Sequence, residues 1–144
     1  RTVNIGEFFT STECPTESVI GSLEGRYKKT EGIALFAQKG TFIDIDIELD
    51  DCDQSPYYSS GFGMWIDFDQ DGVYSNDEQV YIESIAPILN PRHVISTIEI
   101  PLNVKSGVTG MRLIVADGIN GPNLKPCSMY SSGETEDFLI EITE

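Results

Sequence analysis

Basic residues are scarce in this sequence: nine Lys and Arg stand against 24 Asp and Glu, leaving a formal net charge of -15. A surface this negative repels phosphate backbones and anionic headgroups, so nucleic acid is excluded as a natural partner. Membrane insertion is not expected either. No uninterrupted apolar run approaches the roughly 18 to 20 residues that a spanning helix needs. The three cysteines, Cys14, Cys52 and Cys127, are far apart and form no CxxC pair, which argues against a zinc ribbon or a thioredoxin-like centre. One disulfide with one thiol left over and three free thiols are both compatible with that count.

Catalytic signatures are also missing. The single histidine, His93, lies in the loop-like run Asn90-Pro91-Arg92-His93, and neither GxSxG nor HExxH accompanies it. A lone histidine in such a run is more often an exposed polar residue than a general base. Adjacent carboxylates such as Glu136 and Asp137 point to opposite faces of a strand, which suits them poorly to paired acid and base work. The expectation is therefore a protein that is not an enzyme. The chain begins at Arg1 rather than Met, consistent with a mature or trimmed fragment from which a targeting segment has been removed.

What is present is ordinary globular composition, 40% hydrophobic and 23% charged over 144 residues, enough for one domain spanning 1–144 with a real core. The pattern is almost wholly β. From Thr41 to Leu49, Ile43, Ile45, Ile47 and Leu49 alternate with Phe42, Asp44, Asp46 and Glu48, one face oily and the other acidic. Phe62 to Phe68 is apolar on both faces, as in a central strand, and Trp65 within it reads as core. Further strands are predicted at Ile33–Ala37, Gln79–Ile85, Val94–Ile100, Met111–Ala116 and Asp137–Thr143, with weaker ones at Val3–Phe9 and Val19–Leu23. Turn pairs such as Asp71-Gly72, Ser106-Gly107, Asp117-Gly118 and Asn120-Gly121 separate them. No amphipathic helix of convincing length appears. Roughly seven to nine short strands predict an all-β, antiparallel β-sandwich, jelly-roll-like in character.

The sharpest motif is Asp67-x-Asp69-x-Asp71-Gly72, with Glu78 further on. Calcium takes about six to eight oxygens, several from carboxylates, and alternate aspartates in a tight loop can aim theirs at one point. The spacing matches the calcium loop of EF-hands: Asp67, Asp69 and Asp71 as the first ligands, the Val73 carbonyl, Ser75 directly or through water, and Glu78 closing the shell. Strand-like sequence on both sides replaces the EF-hand helices, so a static site is expected rather than a switch.

With that loop and the C-terminal blocks in view, the chain resembles the GEVED domain family. Trp65-Ile66-Asp67-Phe68-Asp69-Gln70-Asp71-Gly72 is close to the family's WIDFNQDG. Ile100-Pro101-Leu102 followed by Gly107-Val108-Thr109-Gly110-Met111-Arg112 is similar to its IP…G…MR stretch. Cys127 to Phe138 stands where the family has C-x-x-Y-x-x-GEVEDY. Thr135 replaces the name-giving Val, and Asp69 replaces the usual Asn of the loop, adding a charge that favours calcium. The resemblance implies a β-sandwich module appended to larger secreted or cell-surface proteins, with adhesion or ligand binding as its supposed role.

Two further expectations come from the residues. Counting back by twos from Phe138 puts Glu136 and Glu134 on the core face, where a carboxylate needs a partner, and Arg112 is the candidate for a Glu136–Arg112 ion pair. A carbohydrate or protein ligand on a cell surface or matrix would meet exposed loop residues, with Tyr57, Tyr58, Asp117, Asn120 and Asn123 as candidates. The alternative is a calcium-stabilised structural or self-assembly domain of a larger extracellular protein.

Overall fold

A computed structural model describes residues 2–11, 27–49, 58–87 and 92–144. The strands among them are β1 Thr2–Ile5, β2 Phe8–Ser11, β3 Tyr27–Gln38, β4 Phe42–Leu49, β5 Ser60–Ile66, β6 Gln79–Ile85, β7 Arg92–Glu99, β8 Gly107–Asp117 and β9 Gly133–Thr143. They form a four-stranded sheet in the order β2-β1-β4-β7 and a five-stranded sheet in the order β3-β9-β8-β5-β6. The protein is a β-sandwich, as its alternating patterns imply.

The alternation of β4 has its expected outcome. Ile43, Ile45, Ile47 and Leu49 are buried between the sheets, while Phe42 and Asp44 are exposed and Asp46 and Glu48 half-exposed. Across from them Phe62, Met64, Ile66, Met111, Phe138, Ile140 and Ile142 complete one core. Fully burying a side chain of this size contributes about 1.5–3 kcal/mol, which makes this cluster the larger apolar contribution to the fold.

The five-stranded sheet is buried on its other face as well. Trp65, Ile114, Ala116 and Leu124 form a second cluster there, roofed by residues 118–132 and flanked by Tyr74, Ile82 and Tyr130. This explains why every residue of β5 is buried. It also explains the glycines on the outward positions of β5. A Cβ on Gly63 would lie 2.4 Å from the Trp65 ring, and one on Gly61 would lie 2.7 Å from the Ile119 carbonyl oxygen.

Three differences from the sequence reading have physical reasons. β3 and β9 pair in parallel, with register shifts between Lys29 and Leu35, so the sandwich is not wholly antiparallel. The predicted Val3–Phe9 strand is two short strands, because Gly6 turns the chain in a left-handed conformation (φ 56). His93 is not a loop residue: β7 begins at Arg92 and places the His93 ring on the outer sheet face. The predicted Val19–Leu23 strand lies outside the described residues.

Candidate functional site

β5 ends at Ile66, and Asp67 opens the acidic loop. The backbone of Asp67 is fixed to β8 on both sides: its N–H donates to the Gly110 carbonyl (3.0 Å), and its carbonyl accepts from the Thr109 hydroxyl (2.6 Å). Its nearly buried carboxylate accepts from the Asp71 N–H (3.1 Å) and the Gly72 N–H (3.0 Å). Asp69 also accepts from the Asp71 N–H (3.1 Å), and Asp71 accepts from the Val73 N–H (2.8 Å). These local side-chain bonds replace the strand ladder and wind the loop tightly.

Two residues take left-handed backbone conformations, Gln70 (φ 55) and Gly72 (φ 84). Glycine does so freely. Gln70 is held by its side-chain amide, which donates to the carbonyls of Lys105 (3.2 Å) and Ser106 (3.3 Å). The Lys105 ammonium in turn donates to the Asp69 carbonyl, so the segment before β8 grips the loop from both sides.

Among the described residues, Asp67, Asp69 and Asp71 form the one group of acidic, histidine or cysteine side chains with ligand atoms close enough to share a metal, all within 4.8 Å of one another. Oxygens around calcium sit about 2.3–2.6 Å from the ion, so opposite ligands are about 5 Å apart, and this trio fits inside one such shell. Glu78 stands outside the trio. It is 6% exposed, and its two oxygens accept from the N–H groups of Asp69 (3.2 Å) and Ser75 (2.8 Å), capping the short 3-10 turn Asn76–Glu78. In this arrangement Glu78 is the strut that ties the start of the loop to its end. Ser75 and the side chain of Val73 are exposed.

The loop connects to the C-terminal motif through Tyr74 and Arg112. The Arg112 guanidinium lies over the Tyr74 ring, 4.8 Å from its centroid. It donates to both oxygens of Asp137 (Nε to Oδ1 2.7 Å, Nη2 to Oδ2 2.6 Å) and to the Pro126 carbonyl (3.0 Å). The expected Glu136–Arg112 ion pair is thus replaced by Asp137–Arg112. Arg112 sits between the inward residues Met111 and Leu113 and so points outward, where Asp137 is its cross-strand neighbour. Glu136 does face the core, as expected, with Glu134 beside it; both are buried, both are partnered, and they line a small cavity with Val3, Ile47, Phe62 and Leu113. The Asp137 hydrogen bond raises the Arg112 pKa further above its ordinary value, against the opposing effect of burial. Burial, and then the nearby Asp137 charge, push the Tyr74 hydroxyl well above the usual tyrosine range.

The candidate ligand residues gather elsewhere. Tyr58 is exposed, and the chain beside it meets the 117–123 turn through Gly118 N–H to the Ser59 carbonyl (2.8 Å) and the Ser60 hydroxyl to Asp117 (2.6 Å). Asn120 and Asn123 are exposed on the same turn. Asp117 is half-buried and occupied by Ser60, which makes it a structural residue here. Tyr57 lies outside the described residues. This group sits at the start of β5 and the acidic loop at its end, about 20 Å apart along a strand of this length. Cys127 is exposed and in no disulfide. Cys14 and Cys52 lie outside the described residues.

The GEVED domain family profile matches residues 61–141, and the chain belongs to that family. No curated protein and no solved structure matches it. The matched span runs from β5 through most of β9 and contains both the acidic loop and the Arg112–Asp137 pair.

Proposed function

We propose that this GEVED domain is a secreted, non-catalytic binding or adhesion module whose Asp67 loop holds calcium. The observation that carries the reading is the convergence of the Asp67, Asp69 and Asp71 carboxylates within 4.8 Å. Three like charges this close repel one another, and a divalent cation relieves that repulsion. Asp67, Asp69 and Asp71 are the direct ligands, with the Val73 carbonyl, Ser75 and Glu78 available to complete the shell. The metal's chemistry is electrostatic: it neutralises the loop and fixes it against β8. The strands on either side give it no helix pair to open, so it stabilises rather than switches.

The exposed Tyr58, Asn120 and Asn123 support a carbohydrate or protein ligand at the opposite end of β5. Calcium would reach that ligand only through the stability of the fold. The structural alternative, a calcium-stiffened spacer or self-assembly domain, draws on the same loop. A glycan array with and without chelator separates them, since assembly predicts calcium-dependent oligomers and no glycan signal.

The calcium reading is tested by following thermal unfolding while calcium is titrated to millimolar concentration. Saturation at about 100 times Kd adds about 2.7 kcal/mol to the folded state and raises the midpoint. Asp69→Ala should abolish the rise. A native midpoint unmoved by millimolar calcium would overturn the proposal.

A further inference from the structure

The outer face of the four-stranded sheet has a composition that its role as a solvent face does not require. Register places Phe42 opposite Glu99, Asp44 opposite Thr97, Asp46 opposite Ile95 and Glu48 opposite His93. Asp44, Asp46 and Glu48 thus stand in a row, each about 7 Å from the next along β4. Glu99 lies on the neighbouring strand. Among the described residues no Lys or Arg lies on this face. Three large apolar side chains rise from the same surface, Phe42 at 68% exposed, Ile95 at 73% and, on β2, Phe9 at 63%.

A strand that needed only solubility would mix charges and keep aromatic and branched apolar groups few on its wet face. Here the carboxylates are of one sign and are spaced at the side-chain repeat of an extended chain. The apolar groups lie among them rather than in a separate patch. His93 shows how a nitrogen base fits the row: Nδ1 is 3.1 Å from an Asp46 oxygen and Nε2 is 3.5 Å from a Glu48 oxygen.

The structure assigns this face to the docking of a basic protein segment in which Arg or Lys alternates with apolar residues. The sign of the charge selects the partner. A second copy of this chain would set carboxylates against carboxylates at a net charge of -15 per molecule, and nucleic acid or anionic lipid is repelled for the same reason. Arginine matches both halves of the surface. Its guanidinium takes a carboxylate in a two-point grip, and its aliphatic stem covers Phe42 or Ile95. The face belongs to β4 and β7, in the sheet that does not carry the Asp67 loop, so the assignment does not depend on calcium.

The probe is a synthetic peptide of alternating Arg and Val, titrated into isotope-labelled protein and followed by NMR shift mapping, with an alternating Glu and Val peptide as control. The expected result is saturable binding of the basic peptide, with shifts concentrated on β4 and β7. The triple variant Asp44→Asn/Asp46→Asn/Glu48→Gln weakens it by about tenfold or more, and Ile95→Ser weakens it without changing the charge. A second triple variant, Glu31→Gln/Asp77→Asn/Glu144→Gln, removes the same charge from exposed positions away from this sheet and leaves affinity within about twofold. Equal weakening by the two triple variants would mean that net charge alone attracts the peptide, and the assignment would fail. It would also fail if the shifts centred on the Asp67 loop or if binding did not saturate. All the substituted side chains lie at or near the surface, so amide spectra of the free variants confirm folding before any comparison.

Discussion

Replacing Asp137 by Asn tests whether the family's two C-terminal motifs are joined by one ion pair. The change keeps the shape of the side chain but removes the counter-charge from Arg112. Breaking a fully buried pair by removing one partner costs about 3–5 kcal/mol. The Arg112 and Asp137 side chains are 20% and 13% exposed, so water recovers part of that. Arg112 also keeps the Pro126 carbonyl and the Tyr74 ring. The expected loss is therefore about 2–3 kcal/mol. For a chain of this size that is a fall in midpoint of roughly 5–10 °C. Arg112→Met should cost a similar amount, because among the described residues Asp137 would keep only the Tyr27 hydroxyl, 2.9 Å away. The double variant should cost little more than either single one, giving a coupling of about 1.5–3 kcal/mol. Urea unfolding read by tryptophan fluorescence suits the measurement, since Trp65 is the sole tryptophan and lies opposite Arg112 in the sheet. A loss below about 0.5 kcal/mol for Asp137→Asn, or losses that simply add, would refute the reasoning.

Two further outcomes follow from the same packing. Gly121→Ala places a Cβ 2.4 Å from the Glu83 carbonyl oxygen, which is backbone and cannot swing aside; it should cost about 1–3 kcal/mol, measured by the same urea titration. Burial and the hydrogen bond to Glu83 push the Tyr81 pKa up to about 12. Because the folded value is raised, the neutral phenol's contribution is fully present below the unfolded value of about 10 and is lost as the pH rises through about 12. An ultraviolet tyrosinate titration should show late-titrating tyrosine in the native protein, and Tyr81→Phe should lower its amplitude by one residue while Tyr74 still titrates late.

Much of this arrangement was legible in the alternation of side chains. The oily and acidic faces of β4 and the inward turn of Glu134 and Glu136 follow from a period of two, and the two-sided burial of β5 from a run with no polar alternation. The partner of Arg112 was legible too, but only once its own strand was counted. Met111 and Leu113 turn inward, so Arg112 turns outward and meets Asp137 rather than Glu136. The parallel pairing of β3 with β9 was not legible, because register between distant segments leaves no mark on either one. Nor was the roof over Trp65, which depends on how residues 118–132 fold back across the sheet. At the acidic loop, spacing alone identified the three converging aspartates, whereas the Glu78 strut appeared only with the backbone N–H groups it accepts. Pro91 suggested a loop around His93, but β7 starts immediately after it, at Arg92.

The place of β9 between β3 and β8 has a consequence for how the molecule is made. Tyr27 and Asp137, joined across that junction, are 110 residues apart in the chain. Contacts of such separation are slow to form, because the intervening chain must be closed into a loop before they are rewarded. During synthesis β3 emerges well before β9 and, among the described strands, has no pairing partner until β9 follows about 100 residues later. A nascent chain halted before Gly133 has neither the partner of β3 nor the inner wall formed by Phe138, Ile140 and Ile142. Folding of this domain is therefore completed only once β9 has been made and has paired with β3 and β8.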